Sequence, residues 1–217
     1  MPKNSISPLL ILSIIGFTGS ASNMMLNPII SIYARSIGTS IFEVGLIVSA
    51  FSMISMFSKP MIGFYVGLKR IFLMPTFGLF LMVISPLAMA FANTPLLLAV
   101  FRVIQGLGNS MLWSPSMTIV ALISPDKRNE NISMYTTTVS LGMFLGPTIG
   151  AISMDFFGGI RNTFLIASFT PLIGFLLSFK LLQRRETIVI HDANQESKTK
   201  FSLSVALKRF SLKMQLK

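Results

Sequence analysis

Long uncharged stretches alternate with short charged clusters along this chain. No Asp, Glu, Lys or Arg occurs in 4–34, 71–101 or 103–125. A helix needs about 20 apolar residues to cross a bilayer, so these stretches predict transmembrane helices. Together with helix-breaking Gly, Pro and Asn positions, they indicate six segments. The predicted spans are about 7–35, 41–66, 70–92, 95–123, 131–153 and 162–182.

The amino-acid composition is that of a membrane protein. Hydrophobic residues make up 52% and charged residues 12% of the 217 positions, whereas a soluble domain carries about a quarter charged residues. The absence of cysteine excludes disulfides and thiolate metal sites. The sequence contains no Walker-type phosphate loop, metal-ligand spacing or Ser-His-acid set, so we expect neither an enzyme nor a cofactor. We predict an all-α integral membrane protein.

The positions of the basic residues predict the orientation in the membrane. The formal net charge is +11, and up to Arg185 nine basic residues fall on one side, against Arg35 and Arg161 on the other. The nine are Lys3, Lys59, Lys69, Arg70, Lys127, Arg128, Lys180, Arg184 and Arg185. Because cytoplasmic loops are rich in Lys and Arg, we predict a cell-membrane protein with both termini in the cytoplasm. This distribution also argues against nucleic acid as a partner. Lys3 before an apolar run could indicate a cleaved signal, but the uncharged run to Ala34 favours a first transmembrane helix.

Two three-span units repeat within the chain. A shift of 87 residues without gaps superposes several Gly or Pro positions on identical residues, and four of the pairs lie beyond the first turn of the predicted spans. These four pairs are Gly19–Gly106, Pro28–Pro115, Pro60–Pro147 and Gly63–Gly150. Since each unit (about 7–92 and 95–182) holds three spans, the second must be inverted relative to the first. Inverted three-helix repeats are typical of secondary transporters, whose substrate sites lie near the repeat interface.

Two motifs in the second unit point to a known family. The stretch "RVIQGLGNSMLWSPSMTIVALISPDKR" (102–128) and the stretch "GMFLGPTIGA" (142–151) carry them. They resemble the RxxQGxG…P…P…R and GxxxGPxxGG elements of the major facilitator superfamily (MFS), the second being typical of its proton-coupled efflux members. The chain thus resembles the N-terminal six-helix half of an MFS transporter over residues 1 to about 185. The resemblance implies transport of a small solute by alternating access, with drug efflux favoured.

The chain departs from the family pattern in two places. The loop "GFYVGLKR" keeps Gly63, Lys69 and Arg70 but has no aspartate, the residue to which the resemblance assigns a role in cytoplasmic gating. Family members also have twelve spans in two halves, whereas six are found here. Three hypotheses therefore stand: a transporter or half of one, a non-transporting truncated fragment, and a half-transporter that pairs with a second six-helix unit. Besides the substrate and that unit, the lipid bilayer is an expected partner.

Arg102 is a single charge inside an otherwise uncharged region. It either snorkels outward along its helix or faces the bundle interior, where charge marks substrate or proton paths. The resemblance implies the second role. An inward arginine needs hydrogen-bond acceptors, for which Asn23, Asn27 and Gln105 are the candidates. Its counterpart under the 87-residue shift is Ile15, so the arginine is not part of the repeated scaffold. Because no acidic residue lies deep in a span, proton coupling would have to involve another half.

Small residues and one tryptophan complete the candidate site. Small residues in the fourth and fifth spans predict close helix packing, and the resemblance adds a role in sealing the pathway. They are Gly106, Gly108, Gly142, Gly146, Pro147 and Gly150. Trp113 lies in mid-span, away from the interfaces that tryptophan prefers, so it either lines a substrate cavity or packs in the core. The tail, 183–217, is predicted to contain a basic amphipathic helix on the inner leaflet, similar to the MFS central loop.

Overall fold

The computed structural model describes residues 7–65 and 67–183, and within these ranges the regular structure is entirely helical. The helices are α1 (Pro8–Ser36), α2 (Ile41–Tyr65), α3 (Leu68–Ile71), α4 (Leu73–Met89), α5 (Pro95–Ile123), α6 (Arg128–Phe156) and α7 (Ile160–Gln183). Their bounds agree with the six predicted spans to within about three residues. Five helices are long and apolar enough to cross a membrane, and α4 is a shorter apolar helix. The predicted amphipathic tail helix lies outside the described residues.

Prolines and one threonine determine where several helices begin. α1 and α5 each start with a proline, whose fixed φ suits the first helical turn. Thr94 caps α5, its side-chain oxygen accepting a hydrogen bond from the backbone N–H of Leu97 at 3.3 Å. Each of the six long helices also contains an internal proline, which membrane helices tolerate because neighbouring helices satisfy the freed carbonyls.

The third predicted span is interrupted in the structure. We expected one helix over 70–92, but α3 ends at Ile71 and α4 starts at Leu73. Pro75 follows closely and has no N–H to donate to the carbonyl of Ile71, so the helix cannot continue regularly across this point. The regular helix of this span, α4, is therefore shorter than the sequence predicted.

The internal repeat is visible in the helix positions. Adding 87 to the first residues of α1, α2 and α4 gives the first residues of α5, α6 and α7. Helix contacts follow the same relation, since α1 packs against α6 and α7 while α5 packs against α2 and α4. α4 and α7, which correspond to each other, pack together. The described part of the chain is thus one bundle of two inverted three-helix units.

The short connections make successive long helices antiparallel, so the bundle has two ends. We call the end at which α1, α4 and α6 begin the N-terminal face and the other end the opposite face. One cluster of buried apolar side chains includes Leu12, Leu79 and Tyr135, and a second includes Ile30 and Phe164. α1 is the most enclosed helix, with 72% of its apolar window buried, whereas α2 has 17% buried. α1 therefore forms the centre and α2 lies at the margin.

Candidate functional site

Arg102 lies on α5 and is completely buried, at 0% exposure. Its Nη1 donates to Oε1 of Gln105 and its Nη2 to Oδ1 of Asn27, both at 2.9 Å. The guanidinium carbon lies 4.9 Å from the ring centroid of Phe51 on α2, a cation–π distance. The side chain is therefore turned into the bundle, where it joins α1, α2 and α5, and does not extend to the surface.

Asn23 extends this polar group toward the middle of the bundle. Nε2 of Gln105 lies 3.5 Å from Oδ1 of Asn23, so the three candidate acceptors and Arg102 form one connected set. We call Arg102, Gln105, Asn23 and Asn27 the Arg102 cluster. Its acceptors are neutral amide oxygens, and hydrogen bonds from a charged donor to such groups are stronger than neutral ones. Within 7–65 and 67–183 the one salt bridge is Lys127–Glu130, so the charge of Arg102 has no carboxylate partner there.

A cavity of about 480 Å³ opens beside this cluster, between α1, α2, α5 and α6. We call it the central cavity. Its polar lining residues are Asn23, Ser52, Ser55, Lys59 and Asn109, and its apolar ones are Met24, Phe51, Met56, Trp113 and Met143. A volume of this size holds a drug-sized molecule, since ligand pockets commonly measure about 300–1,000 Å³.

The central cavity contains only part of the predicted pathway. Asn23 and Trp113 line it, whereas Arg102, Gln105 and Asn27 are not among the lining residues. Phe51 belongs to both sets, because it lines the cavity and its ring covers the guanidinium of Arg102. The structure therefore brings the predicted residues together around the cavity, with Arg102 behind its wall.

Sequence reasoning missed the polar residues that α2 contributes. Ser55 accepts from Nδ2 of Asn109 at 3.2 Å, and its hydroxyl and carbonyl oxygens accept from the hydroxyl of Ser110 at 3.3 and 3.2 Å. Lys59 lies one turn further along α2 and is exposed to the cavity. The 87-residue shift offered a signal, because it pairs Lys59 with Gly146 and so singles out the lysine as an addition to the repeated scaffold.

The predicted glycines lie at close helix crossings. A Cβ added at Gly142, Gly146 or Gly150 would stand 2.6–3.0 Å from backbone oxygens of α1. We call these three residues the glycine seam. Gly106 faces the backbone oxygen of Phe51 in the same way, and Gly108 faces Gly78 across the α4–α5 contact. Close helix packing alone accounts for the positions of these glycines. A role in sealing a pathway stays a prediction.

The remaining candidates lie away from the Arg102 cluster. Pro147 is exposed on α6, and Gly63 and Arg70 are exposed near the N-terminal face. Lys69 belongs to the short helix α3. A smaller cavity of about 280 Å³ separates this region from α5; its lining includes Gly63, Gly67, Ile71 and Pro115. Gly63 and Arg70, at the connection between the second and third predicted spans, are therefore not part of the central cavity in the structure.

Comparisons with known proteins agree on one family. The sequence model described as Major Facilitator Superfamily matches residues 12–213. An uncharacterized MFS-type transporter of Methanocaldococcus jannaschii is 26% identical over 172 residues, which cover 78% of this chain and 43% of that protein. The quinolone resistance protein NorA of Staphylococcus aureus is 25% identical over 175 residues, covering 80% of this chain and 42% of that protein. The chain therefore spans less than half the length of these relatives.

A solved structure has a similar fold. The crystal structure of a peptide transporter, POT, in complex with sulfate matches with a TM-score of 0.71 and 18% sequence identity. The match covers 94% of this chain and 44% of that one. At this identity the likeness establishes the fold alone.

Proposed function

This chain belongs to the Major Facilitator Superfamily, and from that membership we propose that it carries a small solute across a membrane by alternating access. The observation that supports this most strongly is the central cavity beside the buried Arg102 cluster, between helices of both repeat units. In secondary transporters built from inverted repeats, substrates bind at such an interface and one unit moves against the other.

The Arg102 cluster has the properties of a fixed polar wall for this cavity. Burying a guanidinium is costly unless its N–H groups find acceptors, and Asn27 and Gln105 supply them. Asn23 is bonded to the cluster and also lines the cavity, so the cluster reaches a bound solute through this amide. A solute that binds Asn23 would thereby compete for the Oδ1 that Gln105 uses, which couples occupancy to the cluster.

Efflux through the cell membrane is the direction we favour. One relative is a quinolone resistance protein, and the methionine- and aromatic-lined cavity suits an apolar solute. The excess of Lys and Arg on one side supports cytoplasmic termini, which makes the N-terminal face of the bundle the cytoplasmic one.

We further propose that a second six-helix unit completes the cavity. α2 and α6, which form two of its walls, carry exposed large hydrophobic side chains, among them Met53, Met56 and Phe144. The bilayer or a second protein unit must cover such a surface. The alternative is a chain that does not transport.

The mass of the protein complex, crosslinked in native membranes, separates these possibilities. A particle of about two six-helix units, made of two copies or of this chain with another protein, supports the second unit. A lone monomer without flux favours the non-transporting alternative and would refute the pairing.

Flux in native membrane vesicles tests the proposed transport. Vesicles from cells lacking the gene, complemented with the wild type or a variant, are loaded with ethidium or 5-carboxyfluorescein. We expect the wild type to move at least one dye and Arg102→Ala to slow that flux about tenfold or more, because it leaves the amide oxygens of buried Gln105 and half-buried Asn27 without their charged donor. Arg161→Ala, which removes an exposed arginine at the opposite face, is the matched control.

Arg102→Lys is a second variant that distinguishes a loss of the site from a loss of folding. Lysine keeps the charge but cannot reproduce the two-armed geometry that joins Asn27 and Gln105. Abundance in the vesicle membranes and the fluorescence of Trp113 in the purified protein report whether each variant folds. Equal flux in the wild type and in both Arg102 variants would contradict the site, and equal flux with and without the gene would contradict the function.

A further inference from the structure

Lys59 is a charged side chain in the wall of a membrane-embedded cavity. It lies six residues before the end of α2, which places it about 9 Å along the helix from the N-terminal face. It lines the central cavity and is exposed there. An ammonium group at such a position needs water or a ligand to solvate it, and the cavity is where Lys59 meets either one.

No carboxylate balances this ammonium group within the part of the chain that the structure describes. The lining of the central cavity includes no Asp or Glu, and across 7–65 and 67–183 the single salt bridge joins Lys127 and Glu130. Arg102 adds a second positive charge behind Phe51. The electrostatic potential of the cavity is therefore positive, which attracts anions and repels cations.

The scaffold does not require a lysine at this position. The corresponding residue of the second unit is Gly146, which packs against α1. Lys59 makes no hydrogen bond to another described residue in the structure, so it stabilises no helix contact that would explain it. Its charge is available to a ligand.

The rest of the cavity wall fits an aromatic body. Trp113 and Phe51 offer ring faces, and Met24, Met56 and Met143 offer polarizable side chains that adapt to different shapes. We propose that the central cavity binds aromatic monoanions, whose carboxylate pairs with Nζ of Lys59 and whose ring lies against Trp113 and the methionines. This deepens the proposed function, on which it rests, by naming the class of solute for the same cavity.

Trp113 reports binding directly, because it is the single tryptophan of the chain. The purified full chain in nonionic micelles is titrated with three probes of nearly equal shape: 4-bromobenzoate, 4-bromobenzamide and 4-bromobenzylamine. Bromine quenches tryptophan fluorescence on contact, so saturable quenching gives an affinity for each probe. We expect the anion to bind about tenfold more tightly than the neutral amide. The ammonium group of Lys59 donates a stronger hydrogen bond to a carboxylate than to an uncharged amide oxygen. The cation should bind most weakly.

Variants of Lys59 test whether this residue causes the preference for the anionic probe. Lys59→Met should abolish the preference for 4-bromobenzoate over the amide, lowering the affinity for the anion far more than that for the amide, while Lys59→Arg should preserve the preference. Lys180→Met removes another exposed lysine of the N-terminal face and should change neither affinity. An unaltered emission spectrum of Trp113 shows that each variant is folded.

The outcomes separate this inference from the proposed function. Equal affinities for the three probes, tightest binding of the cation, or an anion affinity unmoved by Lys59→Met would overturn the inference. Binding of 4-bromobenzoate through Lys59 without flux in native vesicles would overturn transport and leave the inference standing. Flux of ethidium together with binding of 4-bromobenzylamine at least as tight as that of 4-bromobenzoate would support transport and overturn the anionic class.

Discussion

Gly146 lies where α6 crosses α1 so closely that a single methyl group would not fit. A Cβ there would stand 2.7 Å from the carbonyl oxygen of Ala21 and 2.8 Å from Cβ of Met24. Nonbonded atoms prefer separations of about 3.5–4.0 Å, so the two helices would have to move apart by roughly 0.7 Å. The neighbouring atoms belong to the backbone and to the root of a side chain, so neither can rotate away.

Two opposing terms give the size of the effect of Gly146→Ala. Overpacking of this kind costs about 1–3 kcal/mol. Alanine is a better helix former than glycine, which raises the free energy of unfolding by about 0.5–1 kcal/mol. We expect the free energy of unfolding to fall by about 1 kcal/mol. Gly45→Ala on α2 is the matched control, because its Cβ would meet nothing within 4 Å, and it should raise the free energy of unfolding by about 0.5 kcal/mol.

The assay is unfolding in mixed micelles with increasing SDS, followed by the fluorescence of Trp113. The indole ring lies 6.4 Å from the ring of Tyr135 on α6, so its emission responds when α5 and α6 separate. The midpoint should move to less SDS for Gly146→Ala and to more SDS for Gly45→Ala. If both alanines shift the midpoint to more SDS, helix propensity alone decides, and close packing at the glycine seam is refuted.

Further outcomes concern single hydrogen bonds. Tyr33→Phe should lower the free energy of unfolding by about 1 kcal/mol in the same titration, because the phenol donates to the buried carbonyl of Ala92 at 2.8 Å; an unchanged midpoint would show that this bond contributes nothing net. Ser55→Ala should cost about 1–2 kcal/mol, because Asn109 and Ser110 lose the acceptor Oγ. Ser52→Ala, a cavity-lining control, should have little effect.

The sequence predicted the helices well because the membrane restricts the choices. Uncharged runs long enough to span a bilayer must become helices, and the proline that starts α5 and the connections marked by Gly and Asn fix their ends. The break before Leu73 escaped prediction. A proline near the start of a helix is ordinarily harmless, and hydropathy alone does not register a missing N–H donor.

The candidate site was predicted in part, for a physical reason. Arg102 could be paired with Asn27 and Gln105, because a buried guanidinium needs acceptors and few polar residues lie at the same depth. The cavity wall could not be derived, because it depends on which faces of α2 and α5 meet. Lys59 was counted among the charges at the end of a span, and only its place beside Trp113 in the cavity wall distinguishes it from a loop residue.

The coincidence of helix starts at one offset lets the chain serve as its own comparison. Positions that carry the same glycine or proline in both units, such as Gly63 and Gly150, record what the shared architecture demands. Positions where the units differ are not fixed by that architecture, and Trp113, whose counterpart is Leu26, is one of them. One chain thereby distinguishes positions that the shared helix packing requires from positions that are free to serve one unit alone.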